Sequence, residues 1–436
     1  MKRITILITA IVTITIIVFS GCDKNALKPG EDDDLHPVVW KYKYNQIQQN
    51  SDVIPAMDEN GNIFFSIHEA ESSQDVYVFA IDKDGNELWN KQYSSTNYVE
   101  LSRVMYIDDK VIYTTIVYDD LYDYQETIHC LNAVSGAEIW TYSPDFVNEK
   151  PITAMAATSN YLVVAAKWGG VYPDIDELHY FDLTSGTLTK SVDFGDDEIK
   201  YISIVGNDIY LGIVGTTIFA TNNYLAPRLV KMNLESNNIV WSFIPEYEDE
   251  RNYIFENRSI PIDENGRAFC IIRKQYGVEP SNIYIINNDG TLVNTIAIPE
   301  QNEATYNILI DRNNNFYTAI NTFAKYSPNG DQIWAFHSDT DVPNSNFRTG
   351  CILGDNDTIY HAEDGGILNV NTKGEIAWAK YEKPEFTKPG YPLLTNEGNM
   401  VVVGNLYVNC VKADGAKIQN APWPRIYLNN GNTASR

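Results

Sequence analysis

The sequence predicts an all-β protein, an eight-bladed β-propeller of four-stranded antiparallel blades. Two observations predict it. A short hairpin motif returns eight times with its last residues 40 to 53 positions apart, and no stretch beyond the N-terminal segment sustains a 3.6-residue apolar period. The motif copies are Asp82 to Trp89, Asn132 to Trp140, Asp182 to Lys190, Asn233 to Trp241, Asn287 to Asn294, Ser327 to Trp334, Asn371 to Trp378 and Lys412 to Gln419. A repeat of this length is too short for a domain and long enough for one four-stranded sheet.

Each unit has the same internal order, shown plainly by the first. Asp52 to Met57 is an apolar strand, Asp58-Glu59-Asn60-Gly61 a turn, and Asn62 to Ile67 a second strand. A loop follows, then a third strand at Val76 to Ile81, and a Gly-containing hairpin into Trp89. The Asp/Asn-rich turns suit hairpins that need positive φ. They recur at Asp263 to Gly266, Asp311 to Asn314, Asp355 to Asp357 and Asn396 to Gly398. None continues into a twelve-residue loop closed by an acidic residue, so no EF-hand is expected and no metal site is assigned. The second and third strands, such as Tyr161 to Ala165 and Asn399 to Val403, are apolar and rich in β-branched and aromatic residues.

The motif's closing tryptophans, Trp89, Trp140, Trp241, Trp334 and Trp378, are expected to be structural. A large flat ring packed on its own sheet or between blades buries much apolar area, and its N–H can reach a backbone carbonyl. Lys190, Asn294 and Gln419 stand where the other units carry Trp, which predicts locally weaker units. Trp40, in Val38-Val39-Trp40, has no unit before it and is expected to meet the C-terminal part of the chain and close the ring.

The N-terminus reads as a targeting segment. Lys2 and Arg3 precede the apolar and small-residue run Ile4 to Ser20, which leads into Gly21-Cys22. Small residues just before a cysteine resemble the bacterial lipobox, although Phe19 is less common at its position than Leu. The expected organisation is a signal peptide at 1–21, a lipidated Cys22 with a flexible acidic tether at 22–39, the propeller at 40–420 and a C-terminal tail at 421–436 packing on it. The mature protein is then a membrane-bound lipoprotein of the bacterial cell envelope. The outer membrane, facing the periplasm or the cell surface, is favoured over the inner.

Lys and Arg number 32 against 58 Asp and Glu, a formal net charge of −26. That balance argues against a nucleic-acid partner, which needs phosphate-neutralising cations. Apart from Cys22 the cysteines are Cys130, Cys270, Cys351 and Cys410, widely spaced and expected to be buried thiols. The six histidines carry no metal-ligand spacing.

The apolar strand, (D/N)xxxG and terminal Trp resemble the pyrroloquinoline-quinone-like repeat family. Its members include quinoprotein alcohol dehydrogenases and the non-enzymatic propeller lipoprotein of the outer-membrane barrel-assembly machinery. The resemblance covers Trp40 to Gln419, and Pro422-Trp423-Pro424 through Asn432-Thr433 looks like the end segment of such secreted propellers. For the enzymes, the resemblance implies a quinone in the central funnel, often against an adjacent-cysteine disulfide, with a catalytic Asp and a calcium ion held by Glu and Asn. No two cysteines are adjacent here, so no cofactor and no catalytic residue are assigned, and the protein is not expected to be an enzyme.

Loop length is the asymmetry left for function. The connections between second and third strands are long in units one to five and short in six to eight, and all emerge on one face. They carry Tyr118, Tyr122, Tyr124, Trp168, Tyr172, Phe219, Tyr224 and Tyr276, with Lys167 and Arg273 as rare cations. Rigid aromatics with an occasional cation suit protein recognition. The expectation is a non-enzymatic protein-binding or assembly scaffold, monomeric on its own, with a protein partner in the envelope. Glycan binding at the cell surface is the alternative, and a quinone-dependent or other enzyme is the least favoured reading.

Overall fold

The structure is a computed structural model that describes residues 36–435 apart from loop segments, chiefly 45–52, 69–74, 119–123, 144–149, 169–174, 219–222, 247–252, 275–280, 299–306, 338–349 and 382–385. Cys22 and the run before it lie outside the described residues. Eight four-stranded antiparallel sheets succeed one another along the chain, the blades of an eight-bladed propeller. Blade 1 runs Ala56–Met57, Ile63–His68, Val76–Ile81 and Glu87–Tyr93, from the innermost strand outward. The next inner strands are Tyr98–Leu101 with Met105–Ile107 in blade 2, Lys150–Ala157 in blade 3 and Glu198–Val205 in blade 4. Tyr253–Phe255, Asn307–Ile310, Cys351–Leu353 and Leu393–Leu394 follow in blades 5 to 8.

Blade 8 is completed from the other end of the chain. Its outermost strand is Val38–Lys43, paired with Tyr407–Lys412. Trp40 sits opposite Cys410 after a register shift, just as Trp140 sits opposite Cys130 in blade 2. Trp40 is therefore the eighth blade's outer-strand tryptophan. This corrects the placing of Gln419 at that position: after its hairpin turn the chain leaves blade 8 altogether. Gln419 instead donates to Asp357 Oδ1 at 2.8 Å and accepts from the Arg312 N–H at 3.0 Å, joining turns of blades 6 and 7.

The turn chemistry follows from the short oxygen-bearing side chains. Asp82 Oδ1 accepts the N–H groups of Asp84 and Asn86, and Asp311 Oδ1 those of Asn313 and Asn315, so one oxygen of each carboxylate shapes its own turn.

One contact repeats around the ring. The residue at the Trp position of each outer strand donates to the hairpin turn of the next blade. Trp40 reaches Lys83 O, Trp89 Ala133 O, Trp140 Leu183 O, Trp241 Asn288 O and Trp334 Thr372 O, all within 2.8–3.1 Å. Trp378 donates to Asp414 Oδ2, while Lys190 and Asn294 reach Leu234 O and Asn329 O at 2.7 Å. The non-tryptophan positions thus keep the hydrogen bond and forgo the ring. Beneath five of the six rings lies the hairpin glycine, while Trp378 stacks on His36 with ring centroids 4.0 Å apart. A Cβ on Gly186, whose φ is +68°, would stand 2.4 Å from a Trp140 ring carbon. The Gly and the Trp of the motif are two halves of one joint between neighbouring blades.

Second and third strands are buried on both faces and weld adjacent blades. Phe64, Val78 and Trp89 of blade 1 pack with Val111, Tyr113 and Leu131 of blade 2. The four described cysteines are buried and free in blades 2, 5, 7 and 8, and burial pushes the thiols of Cys130 and Cys410 up to about 12.

Candidate functional site: the tail-closed axial channel

Inner strands of a propeller line its axis. Here residues 418–435 leave blade 8 and cross the end of that axis. Ile310 N and Trp423 O bond at 2.7 Å in blade 6, and Leu353 N donates to Pro424 O at 2.9 Å in blade 7. Further on, Tyr106 N donates to Gly431 O at 2.8 Å in blade 2, Ala157 N to Thr433 O at 3.0 Å in blade 3, and Ile204 N to Ala434 O at 2.9 Å in blade 4. Asn432 is fully buried and its amide donates to Ile54 O, Pro55 O and Val104 O, which adds blade 1. All five amides belong to the C-terminal ends of inner strands, so the tail lies on the face of the short turns. The tail's own Trp423, Arg425, Tyr427 and Leu428 are buried, and burial lowers the Arg425 guanidinium to about 9. The tail thus spans that end of the axis, bonded to the inner strands around it.

Beside the tail the same face holds a depression of about 660 Å³. It is lined by Asp58, Glu59, Tyr106, Asp108, Asn160 and Asn396 among others, with no Lys or Arg in its wall among the described residues. Glu59 accepts the Tyr106 hydroxyl at 2.7 Å.

Above the tail, the channel core contains Tyr391, Tyr427, Ile54, Ala154 and Ile202 in one buried cluster. Polar atoms of the inner ring, Arg103 Nε and Asn307 Oδ1, are buried without a hydrogen-bond partner among the described residues, as is Glu126 Oε1 on the third strand of blade 2. Asn307 spends its amide on the Tyr391 hydroxyl at 3.4 Å. Arg103 lies between the two segments of the blade 2 inner strand. It donates through Nη2 to Met155 O of blade 3 and stacks over the Tyr427 ring, 3.8 Å from its centroid. Native folds leave few buried polar atoms unsatisfied, and each needs an explanation.

Two carboxylates fasten the inner ring. Asp176 Oδ2 accepts the Ile199 N–H at 2.7 Å, and Glu126 Oε2 accepts the Ile152 N–H. Both amides adjoin register shifts in the next blade's inner strand, so the acid satisfies a donor that the bulge takes out of the ladder. Burial, with Glu100 adding to it, raises the Glu126 carboxyl to about 7 against the hydrogen bonds that lower it. A raised acid holds its proton longer in the folded state, so its contribution is full below the unfolded value near 4.5 and is lost as pH rises through about 7. Glu126→Gln keeps an acceptor for Ile152 and removes the titration. In urea melts the variant should gain up to about 3 kcal/mol on the wild type between pH 5 and pH 8. Parallel curves would mean that Glu126 is ionised in the fold.

The aromatic face proposed from sequence falls largely outside this description. Tyr122, Tyr172, Phe219 and Tyr276 lie outside the described residues, as do the side chains of Tyr124, Lys167, Trp168, Tyr224 and Arg273. Tyr118 is half-buried at a strand end. The backbone shows that Lys167 and Trp168 end the strand Tyr161–Trp168, paired with Asp176 and Ile175, rather than opening a loop. The long connection of blade 4 forms a hairpin of its own, Thr216–Ile218 against Asn223–Leu225. The structure thus brings the channel residues together, whereas sequence reasoning had looked to the rim. The signal for this arrangement in the sequence is the tail motif, Pro422-Trp423-Pro424 through Asn432-Thr433.

No family model matches the chain, and no curated protein does. Among solved structures, the chain is similar to the quinohemoprotein alcohol dehydrogenase of Comamonas testosteroni, with TM-score 0.55 and 11% identity over 88% of this chain and 77% of the other. A europium-containing methanol dehydrogenase matches with TM-score 0.51 and 12% identity, over 86% of both chains. A quinohemoprotein alcohol dehydrogenase from Pseudomonas putida gives TM-score 0.51 and 12% identity over 89% of this chain and 78% of that one. At such identities the likeness establishes the fold alone: the chain has the propeller of the quinoprotein dehydrogenase type.

These neighbours overturn the expectation of a non-enzymatic protein-binding or assembly scaffold, since all three are dehydrogenases. That expectation gave its weight to rim aromatics, while the departure from eightfold regularity that the structure displays is at the axis. The glycan alternative drew on the same aromatics and has no separate support. The quinone arrangement implied by the resemblance does not fit the described residues either. The four cysteines sit in four blades, and no group of three or more His, Cys, Asp or Glu converges among the described residues.

Proposed function

We propose that this chain is a lipid-anchored protein of the bacterial cell envelope whose axial channel binds a small molecule entering opposite the tail. An acylated Cys22 holds it at the outer membrane in preference to the inner, a reading supported by the apolar run that ends in Ser20-Gly21-Cys22. The observation that carries the channel reading is the tail itself, hydrogen-bonded to the inner strands of five blades across one mouth. A ring sealed at one end is a blind pocket, and concave pockets with a few convergent polar groups are where small ligands bind. The unsatisfied Arg103 and Asn307 atoms supply such groups.

Native mass spectrometry of protein purified from membranes tests both parts. The expected result is a stoichiometric small molecule that is lost on denaturation, and a Cys22→Ser chain that lacks the acyl mass. A ligand-free protein that no compound in a metabolite library stabilises against heat would overturn the channel reading.

A further inference from the structure

We propose that Arg103 is the anion-recognising residue of the channel and that the channel's ligand carries a carboxylate. The inference rests on the channel reading and names its ligand chemistry. Arg103 stands out in a chain with 58 acidic and 32 basic residues. Arg228 is paired with Asp197, Arg267 with Asp263 at 2.6 Å and Arg312 with Asp357 at 2.7 Å. Arg103 has no carboxylate partner among the described residues. Its charge is met by a carbonyl, a thioether 3.8 Å away and the face of an aromatic ring. Where acids outnumber bases nearly two to one, a half-buried arginine without an acid marks a place from which the protein's own carboxylates are excluded.

The side chain is also held ready. The Met155 carbonyl fixes Nη2, and the Tyr427 ring fixes the plane of the guanidinium. Tyr427 is itself clamped, because it belongs to the tail and is buried with Tyr391 and Ile54. A guanidinium fixed in plane and position loses little freedom on binding and presents N–H groups in a fork that matches a carboxylate. The Nε–H has no acceptor and almost no access to solvent, so an oxyanion oxygen would fill a gap that the fold leaves open. The neighbouring Ser102 does not compete for the ligand, since its hydroxyl accepts from Thr114 N at 2.8 Å and donates to Arg103 O at 3.1 Å. Burial lowers the guanidinium's pKa, while the Tyr427 contact works the other way.

The test titrates the full chain with benzoate and with benzamide, its uncharged isostere, following the thermal shift and the binding isotherm. Wild type should bind benzoate at least ten-fold more tightly than benzamide. Arg103→Gln should abolish that preference. If Arg103→Gln does not fold, Arg103→Lys decides: a selective loss for benzoate supports the proposal, and an unchanged ratio overturns it. Equal binding of both probes by wild type would discard the anion site and leave the channel reading standing. If neither probe binds, the anion site falls, and the mass spectrometry above then decides the channel reading separately. A residue that only clamped the tail would change stability and leave the ratio untouched.

Discussion

Truncating the chain after Ala421 should destabilise the ring by more than the about 3–5 kcal/mol that removal of one buried aromatic costs. Trp423 alone supplies a loss of that size, because its side chain is fully buried against the blade 5 and blade 6 core that includes Phe269, Ile310 and Phe316. Arg425 and Asn432 add buried hydrogen bonds to Pro55 O and Val104 O whose acceptors would be stranded. Chemical denaturation of the truncated chain gives the stability, and amide hydrogen exchange gives the mechanism. The amides of Tyr106, Ala157, Ile204, Ile310 and Leu353 all donate to tail carbonyls, and all five should lose protection together. A melt within about 1 kcal/mol of the full chain, with those amides still protected, would show that the tail is an appendage and not the floor of the channel.

The fold was legible in the sequence because a propeller writes its architecture once per blade. The Asp/Asn turns, the hairpin glycine and the closing tryptophan recur since each blade meets its neighbour through the same joint, and joints need the same residues. The reading of Gln419 failed for a related reason. A ring must close, so the last unit borrows its outer strand from residues 38–43, and a count along the chain assigns the eighth tryptophan position to the wrong end. Lys190 and Asn294 were read as weak substitutes, yet both retain the donor that reaches the next blade, Lys190 also resting over the Tyr180 ring at 4.0 Å. The hydrogen bond is common to all eight positions, and the aromatic surface is the part that varies.

The channel was not legible, and the reason is physical. Arg103, Asn307 and the tail residues are remote in sequence and meet only because inner strands from all blades converge on one axis. No spacing rule expresses that convergence. Rim aromatics, by contrast, are conspicuous in sequence because loops vary in length and composition. Prominence in a sequence tracks irregular loops, whereas the residues facing one another at the axis belong to short inner strands and the breaks within them.

The joint between blades yields the sharpest energetic test. Trp140→Ala should cost about 3–5 kcal/mol, since the ring is buried in the cluster joining blades 2 and 3 and its N–H holds Leu183 O at 3.1 Å. Gly186→Ala should also destabilise, through two terms: the left-handed backbone at φ +68° and a Cβ forced to 2.4 Å from the ring. Gly195→Ala isolates the first term, because its φ of +64° is nearly the same and nothing lies within 4 Å of a Cβ there. That control should cost about 1 kcal/mol. In the Trp140→Ala background the second term disappears with the ring, so Gly186→Ala should fall to the cost of the Gly195 control. The double-mutant cycle should therefore show a coupling of more than about 1 kcal/mol, read from urea melts of the four proteins. Additive costs would mean that the tryptophan does not rest on the glycine, and the joint would then reduce to its hydrogen bond.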